Sequence, residues 1–308
     1  MGVDWRLYVA TLVAVLIFFG LGILVGIGLT REPTAQRLEG QIRRLEARLS
    51  EELRRRDERI RALEGELQAT QQRWQDMQEW LTGALPLLTV RRLQFRNIAI
   101  IACAPDPDGT LIGRLQEALK GAGANVPFVL TLNPDAIQTA DSTAWRRIAQ
   151  KVGLVADDAT EATIKEAVWK RLALLVRYGD PTGQLNALVQ MGWAKVAGSP
   201  SAPVGSVVLL SAFEQPRDEE QVQTVDLPLL RALKGVDIRT VACETAKVGE
   251  HSVVEILQTA GVATVDHADT PMGLLCIIAA LTGHTDRYGL KNGARQMLPP
   301  VKALMGNP

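Results

Sequence analysis

Residues 269–281, DTPMGLLCIIAAL, are the stretch on which the reading of this chain turns. The run is almost wholly apolar, carries a cysteine, and lies between His267 and His284. It is a second membrane span, one wall of a metal site, or a helix buried in a core, and each answer gives a different protein. Length separates them. Met272 to Leu281 is about half of the roughly 20 residues a helix needs to cross a hydrocarbon layer. Asp269 or Thr270 can cap a first turn, Pro271 suits the first helical position, and Gly283 suits the stop. A short, capped helix that is apolar all round belongs inside a folded domain.

The preceding sequence has the texture of such a domain. NIAIIACA (97–104) reads as a fully buried strand, followed by the turn PDPDG and the amphipathic helix TLIGRLQEALKGAG (110–123). VPFVLTL (126–132) is a second strand, and residues 142–152 and 160–177 read as helices. The alternation continues with VGSVVLLSA (204–212), LPLLRALKG (227–235), VDIRTVACE (236–244), HSVVEILQTAG (251–261) and VATVDH (262–267). Apolar strands alternating with helices predict an α/β fold over residues 92–308: a doubly wound, mostly parallel sheet covered on both faces.

The amino-terminal third is built differently. From Leu7 to Leu29 there are 23 residues without a charge, enough to span a bilayer with some tilt. The exit through TREP lacks the small-residue pattern of a cleaved signal, so residues 1–32 are expected to be a retained transmembrane anchor. Gly22 and Gly26 form a GxxxG pair that would let two such helices approach closely. Pro33 is expected to break the helix. Residues 33–85 then read as a coiled-coil stalk. Leu38, Ile42, Leu45 and Leu49 recur at steps of four, three and four; Leu53 introduces a stutter; Ile60, Leu63, Leu67, Thr70, Trp74, Met77 and Leu81 resume the alternation. Arg56 falls on this seam and weakens its middle. The seam predicts a parallel homo-oligomer, a dimer by preference, with a trimer as the alternative because Ile42 and Ile60 are its only β-branched aliphatic residues.

Lysine plus arginine and aspartate plus glutamate are 34 each, so the overall charge points to no nucleic-acid partner. Three cysteines, Cys103, Cys243 and Cys276, show no CxxC spacing, which argues against a disulfide framework and a zinc ribbon. Asp106, Asp108 and Gly109 beside a helix start resemble a phosphate loop, but neither GxGxxG nor GxxxxGK[ST] is present, and a turn with Asp108 as helix cap is the better account. No GxSxG elbow and no HExxH occurs. The carboxylate pairs Asp157/Asp158 and Glu219/Glu220 fit solvated surface, and the chain is not read as an enzyme. Copper(I) prefers thiolate and thioether ligands. Cys103 and Cys243 fall at the ends of predicted strands, where they could meet at one sheet edge, and Met272 and Cys276 share a helix face. The competing account is that these are small buried hydrophobes.

Three features carry a family resemblance: the small-residue-rich apolar helix running into a coiled coil; NIAIIACAPDPDGTLIGRLQEALKGAGANVPFVLTL; and the closing block VDHADTPMG…ALTGH…YGLKNGARQMLPP. Together they resemble the MctB family of copper transport proteins. The resemblance implies a membrane-associated protein of copper homeostasis, with copper as a possible ligand and no ligand set to carry over. One helix cannot enclose a pore, so conduction would require an oligomer, and an α-helical anchor fits poorly with an outer-membrane label. The alternative is an envelope-anchored structural or interaction protein with no metal role. Arg31, Arg37, Arg43, Arg44 and Arg48 follow the span and argue for a cytoplasmic head. The resemblance implies an extracytoplasmic one, and the latter placement is the expectation.

Overall fold

The computed structural model describes residues 5–104, 106, 109–154, 159–212, 218–248, 252–291 and 294–300, with only the backbone at Leu7 and residues 28–38. The chain divides into two compact units, Met1–Trp74 and Gln75–Pro308.

The first unit is helical. Helix α1 (Trp5–Thr89) runs through it and its last turns enter the second unit. Within α1, Tyr8–Ile27 is long and apolar enough to cross a membrane, with a mean hydropathy of 2.7 and no residue buried. The expected break at Pro33 is not found, because α1 is one element on both sides of it. A proline removes one backbone donor at a cost of about 3 kcal/mol, and the strong helix formers that flank it outweigh that single loss. Beyond it, Leu45, Leu49, Ile60, Leu63 and Leu67 are each more than half exposed, so the apolar stripe is uncovered over this stretch within one chain, whereas Leu81 further on is buried.

The second unit is an α/β domain, as the strand–helix alternation predicted. In chain order it contains β1 (Ile98–Ala102), α2 (Thr110–Gly121), β2 (Phe128–Leu132), α3 (Pro134–Gln138), α4 (Ser142–Lys151), α5 (Glu161–Tyr178), α6 (Leu185–Gln190) and β3 (Ala194–Gly198). There follow β4 (Ser206–Ala212), a single turn α7 (Glu219–Gln221), α8 (Leu227–Gly235), β5 (Arg239–Glu244), α9 (Val254–Gln258), β6 (Ala263–Val265), α10 (Pro271–Thr282) and β7 (Arg287–Tyr288). The strands form one sheet in the order β3-β2-β1-β4-β5-β6-β7. All neighbours are parallel except β2 and β3. The chain winds outward from β1 through β2 to β3 and then returns to the other side of β1 at β4, which makes the sheet doubly wound.

Every residue of β1 and β4 is buried. That is why those strands read as unbroken apolar runs rather than as alternating ones. One face carries a continuous core in which α4, α5 and α8 pack over Ile101, Leu130, Leu209 and Ala242. Trp145 anchors it, with ring centroids 6.0 Å from Trp169 and 4.7 Å from Trp193. The other face is covered by α2 and α10, which contact each other, and α10 rests on β5 and β6. The last turns of α1 lie beside α10, and Leu88 and Thr89 line one small cleft with Leu275, Ile278 and Thr282.

Helix α10 is thus sandwiched, and Met272 to Leu281 are all buried. Its ends are as the sequence predicts: Thr270 Oγ1 accepts from the Gly273 amide at 3.0 Å, Pro271 opens the helix, and Gly283 ends it at φ 122°. Asp108 lies outside the described residues, as do Asp157 and Asp158. Asp106 accepts from the Ile112 amide at 3.0 Å, in the first turn of α2. Strand β3 was not predicted. Its five residues are mostly exposed on an antiparallel edge, so they lack the apolar run that marked the central strands.

Candidate functional site

The closing block of the sequence folds onto the carboxyl ends of β5 and β6. A buried carboxylate stands at the end of each strand: Glu244 is the last residue of β5, and Asp266 directly follows β6. Burying a carboxylate is costly unless donors surround it, and here the chain segment after β7 supplies them. Asp266 accepts from the Leu290 amide at 2.9 Å, from the Lys291 amide at 2.9 Å, and from His267 Nδ1 at 2.9 Å. Burial pushes the Asp266 carboxyl up, but these donors outweigh it and hold the group below its ordinary value. Glu244 accepts from Ser252 Oγ at 2.5 Å, the Val253 amide at 2.9 Å and Lys291 Nζ at 2.8 Å. Lys291 Nζ also donates to the Thr245 carbonyl at 3.0 Å. Lys291 therefore joins both strand ends, by its amide to Asp266 and by its ammonium to Glu244.

Two glycines of the closing block have their reason in this geometry. A Cβ at Gly289 would overlap the Asp266 carboxylate, and one at Gly273 would overlap the His267 carbonyl. The same carbonyl accepts from Thr270 Oγ1 at 2.9 Å, and Asp269 accepts from the Ala246 amide at 2.7 Å. The words DHADTPMG and YGLK are one structure seen twice in the sequence. The arrangement is a clamp whose carboxylates are filled by the chain's own donors. An ionised carboxylate only accepts, so Nδ1 is the ring nitrogen that donates to it. Nε2 of His267 is buried and has no hydrogen-bond partner among the described residues.

Sequence reasoning did not single out Glu244, Asp266, His267 or Lys291 as a cluster. The available signal was an acidic residue at the end of an apolar strand, in VACE and VATVD.

The structure divides the metal candidates. Cys103, Cys243, Met272 and Cys276 are all fully buried. Cys103 belongs to the core face with Ile101, whereas Cys243 pairs with Leu210, which pairs in turn with Ala102 on the opposite face. Residues in register point to the same side and neighbours along a strand to opposite sides, so Cys103 and Cys243 are separated by the sheet and do not meet at an edge. Cys243 instead neighbours Cys276 of α10. Burial raises the Cys243 thiol well above its ordinary range, with Cys276 and then Glu244 adding to it. Burial and then Asp266 push Cys276 up to about 12. Its Sγ donates to the Met297 carbonyl at 3.6 Å. Among the described residues no group of three or more histidine, cysteine, aspartate or glutamate side chains is arranged to hold a metal ion.

Nearly the whole chain, residues 3–299, matches the family described as copper transport outer membrane protein, MctB. No curated protein matches the chain. The match runs through the apolar helix, the α/β domain and the clamp that its closing block forms, so the chain belongs to the MctB family and is a membrane protein of the copper transport class.

Proposed function

We propose that this protein serves copper homeostasis as a membrane-anchored homo-oligomer whose α/β head is a binding or scaffolding module. The observation that carries the reading is the family match over residues 3–299, together with one helix, among the described residues, that is long and apolar enough to cross a membrane. One helix satisfies its own backbone but encloses no pore, so any role in moving copper runs through assembly of copies or through partners. No catalytic role is proposed. Deleting the gene should change growth on copper-supplemented medium, and the full chain should restore it. Equal growth of the deletion strain across copper concentrations would remove the copper role and leave an envelope-anchored structural protein.

The stalk supplies the means of assembly. Its stripe at Leu38, Ile42, Leu45, Leu49, Ile60, Leu63 and Leu67 has helical spacing, and its described members are exposed in the single chain. A second copy buries such a stripe by interdigitation, with Gly22 and Gly26 allowing close approach inside the bilayer. Sedimentation of the full chain in detergent should give a dimer at micromolar concentration. A monomer there would defeat the assembly.

The full burial of Cys103, Cys243 and Cys276 favours copper acting as a cargo handled elsewhere than at these thiols. Copper(I) titration against a competing chelator should give the same affinity for the full chain and for a variant with all three changed to serine. A loss of tenfold or more in the variant would assign the metal to the thiols.

The proposal also puts the head outside the cytoplasm, a reading supported by the family's description as an outer membrane protein. A Ser50→Cys variant should react with a membrane-impermeant maleimide on intact cells, whereas reaction only after lysis would reverse the placement.

A further inference from the structure

At the amino ends of the strands, away from the clamp, lies a concavity of about 680 Å³. It is lined by four cations, Arg96, Arg177, Lys234 and Arg239, and by one carboxylate, Asp237. Among the described residues none of the four cations is ion-paired. Arg96, just before β1, and Arg239, the first residue of β5, converge on a single acceptor. Their Nη1 atoms donate to the Leu281 carbonyl at 2.6 and 2.9 Å. That carbonyl belongs to the last turn of α10, whose negative dipole end offsets part of the repulsion between the two guanidinium groups. It does not use them up. Each guanidinium has five N–H donors in a fixed fork, and one carbonyl occupies one donor of each. Burial and then the neighbouring Arg239 hold Arg96 below its ordinary value.

The rim is strained as well. Phe95 (φ 63°) and Asp237 (φ 57°) both line the concavity in the left-handed region, and Phe95 is 90% exposed. Non-glycine residues are uncommon there and cluster at ligand sites. Lys234 is held in place by the Ala260 and Gly261 carbonyls, to which its Nζ donates at 3.0 and 3.2 Å.

We propose that this concavity binds a small multivalent oxyanion of the phosphate or polycarboxylate class, gripped by Arg96 and Arg239 with Arg177 and Lys234 at the sides. Forked guanidinium groups match such oxygens two at a time, and four cations against one carboxylate around a single open concavity favour an ion with several negative oxygens.

Calorimetric titration of the full chain in detergent with pyrophosphate, and separately with citrate, tests this. Saturable binding of at least one is expected, and which one binds tells phosphate from carboxylate. Arg177→Gln leaves the cap on α10 untouched and should weaken that binding about tenfold. Arg239→Lys keeps the charge, loses the fork, and should weaken it similarly. Both should melt as the parent does; if Arg239→Lys unfolds, Arg177→Gln alone decides. No saturable heat with either anion up to about 10 mM, or undiminished affinity in Arg177→Gln, would overturn the site.

Discussion

Replacing Ile277 with aspartate should unfold the α/β head. Ile277 is fully buried in a helix held between the sheet and the end of α1, and every residue from Met272 to Leu281 is buried with it. The change forfeits about 2–3 kcal/mol of apolar burial. It also buries a carboxylate for which α10 offers no donor, a penalty of several kcal/mol per ion even after relaxation. Domains of this size are stable by about 5–15 kcal/mol, so the two effects together consume most or all of that margin. Tryptophan fluorescence is the suitable probe, because Trp145, Trp169 and Trp193 lie in the head's core, whereas far-ultraviolet signals mix the head with the long helix α1. The expected result is loss of the cooperative transition. Ile42→Asp, on the exposed stripe of α1, should leave the head's transition where it is. A parental melt for Ile277→Asp would mean that α10 is not core.

Asp266→Ala should be the second most damaging change. It leaves the Leu290 and Lys291 amides and His267 Nδ1 without their acceptor in a site with little water access. An unsatisfied buried donor costs about 1–3 kcal/mol, so a total of about 3–5 kcal/mol is expected, a fall in melting temperature on the order of 10 °C for a domain this large. The effect should depend on pH with a definite sign. Because the folded-state carboxyl is held below its ordinary value, Asp266 contributes stability that is present above the unfolded value of about 4 and is lost as pH falls through the folded value. The gap between parent and Asp266→Ala should therefore be constant from neutral pH down to about pH 5 and narrow below about pH 4. A gap that held its size into strong acid would mean that the clamp does not rest on the ionised carboxylate.

Both predictions bear on how the fold was legible. Helix α10 could be read from its own residues because the determinants are local: a cap at Thr270, a proline at the first turn, a glycine after the last, and apolar side chains all round. The central strands were equally plain, since covering both faces of a sheet demands a continuous apolar run. The apolar segment at Tyr8–Ile27 and the periodic stripe behind it needed only counting. Pro33 was misread because a local rule, the missing donor, was weighed without the long helix on either side of it.

The remaining features depend on which segments meet. Cys103 and Cys243 each end an apolar strand, and nothing in either segment states that the registers through β4 put them on opposite faces. Lys291 reaches Glu244 across 47 positions and Asp266 across 25. Arg96 and Arg239 share a carbonyl 185 and 42 positions away. Side-chain period and capping are encoded within a turn or two of chain, so the sequence alone specified the apolar segment of α1, the periodic stripe behind it and the α/β alternation. Strand order and register arise from closing long loops around a common core, and only that closure brought the clamp and the cationic concavity into being.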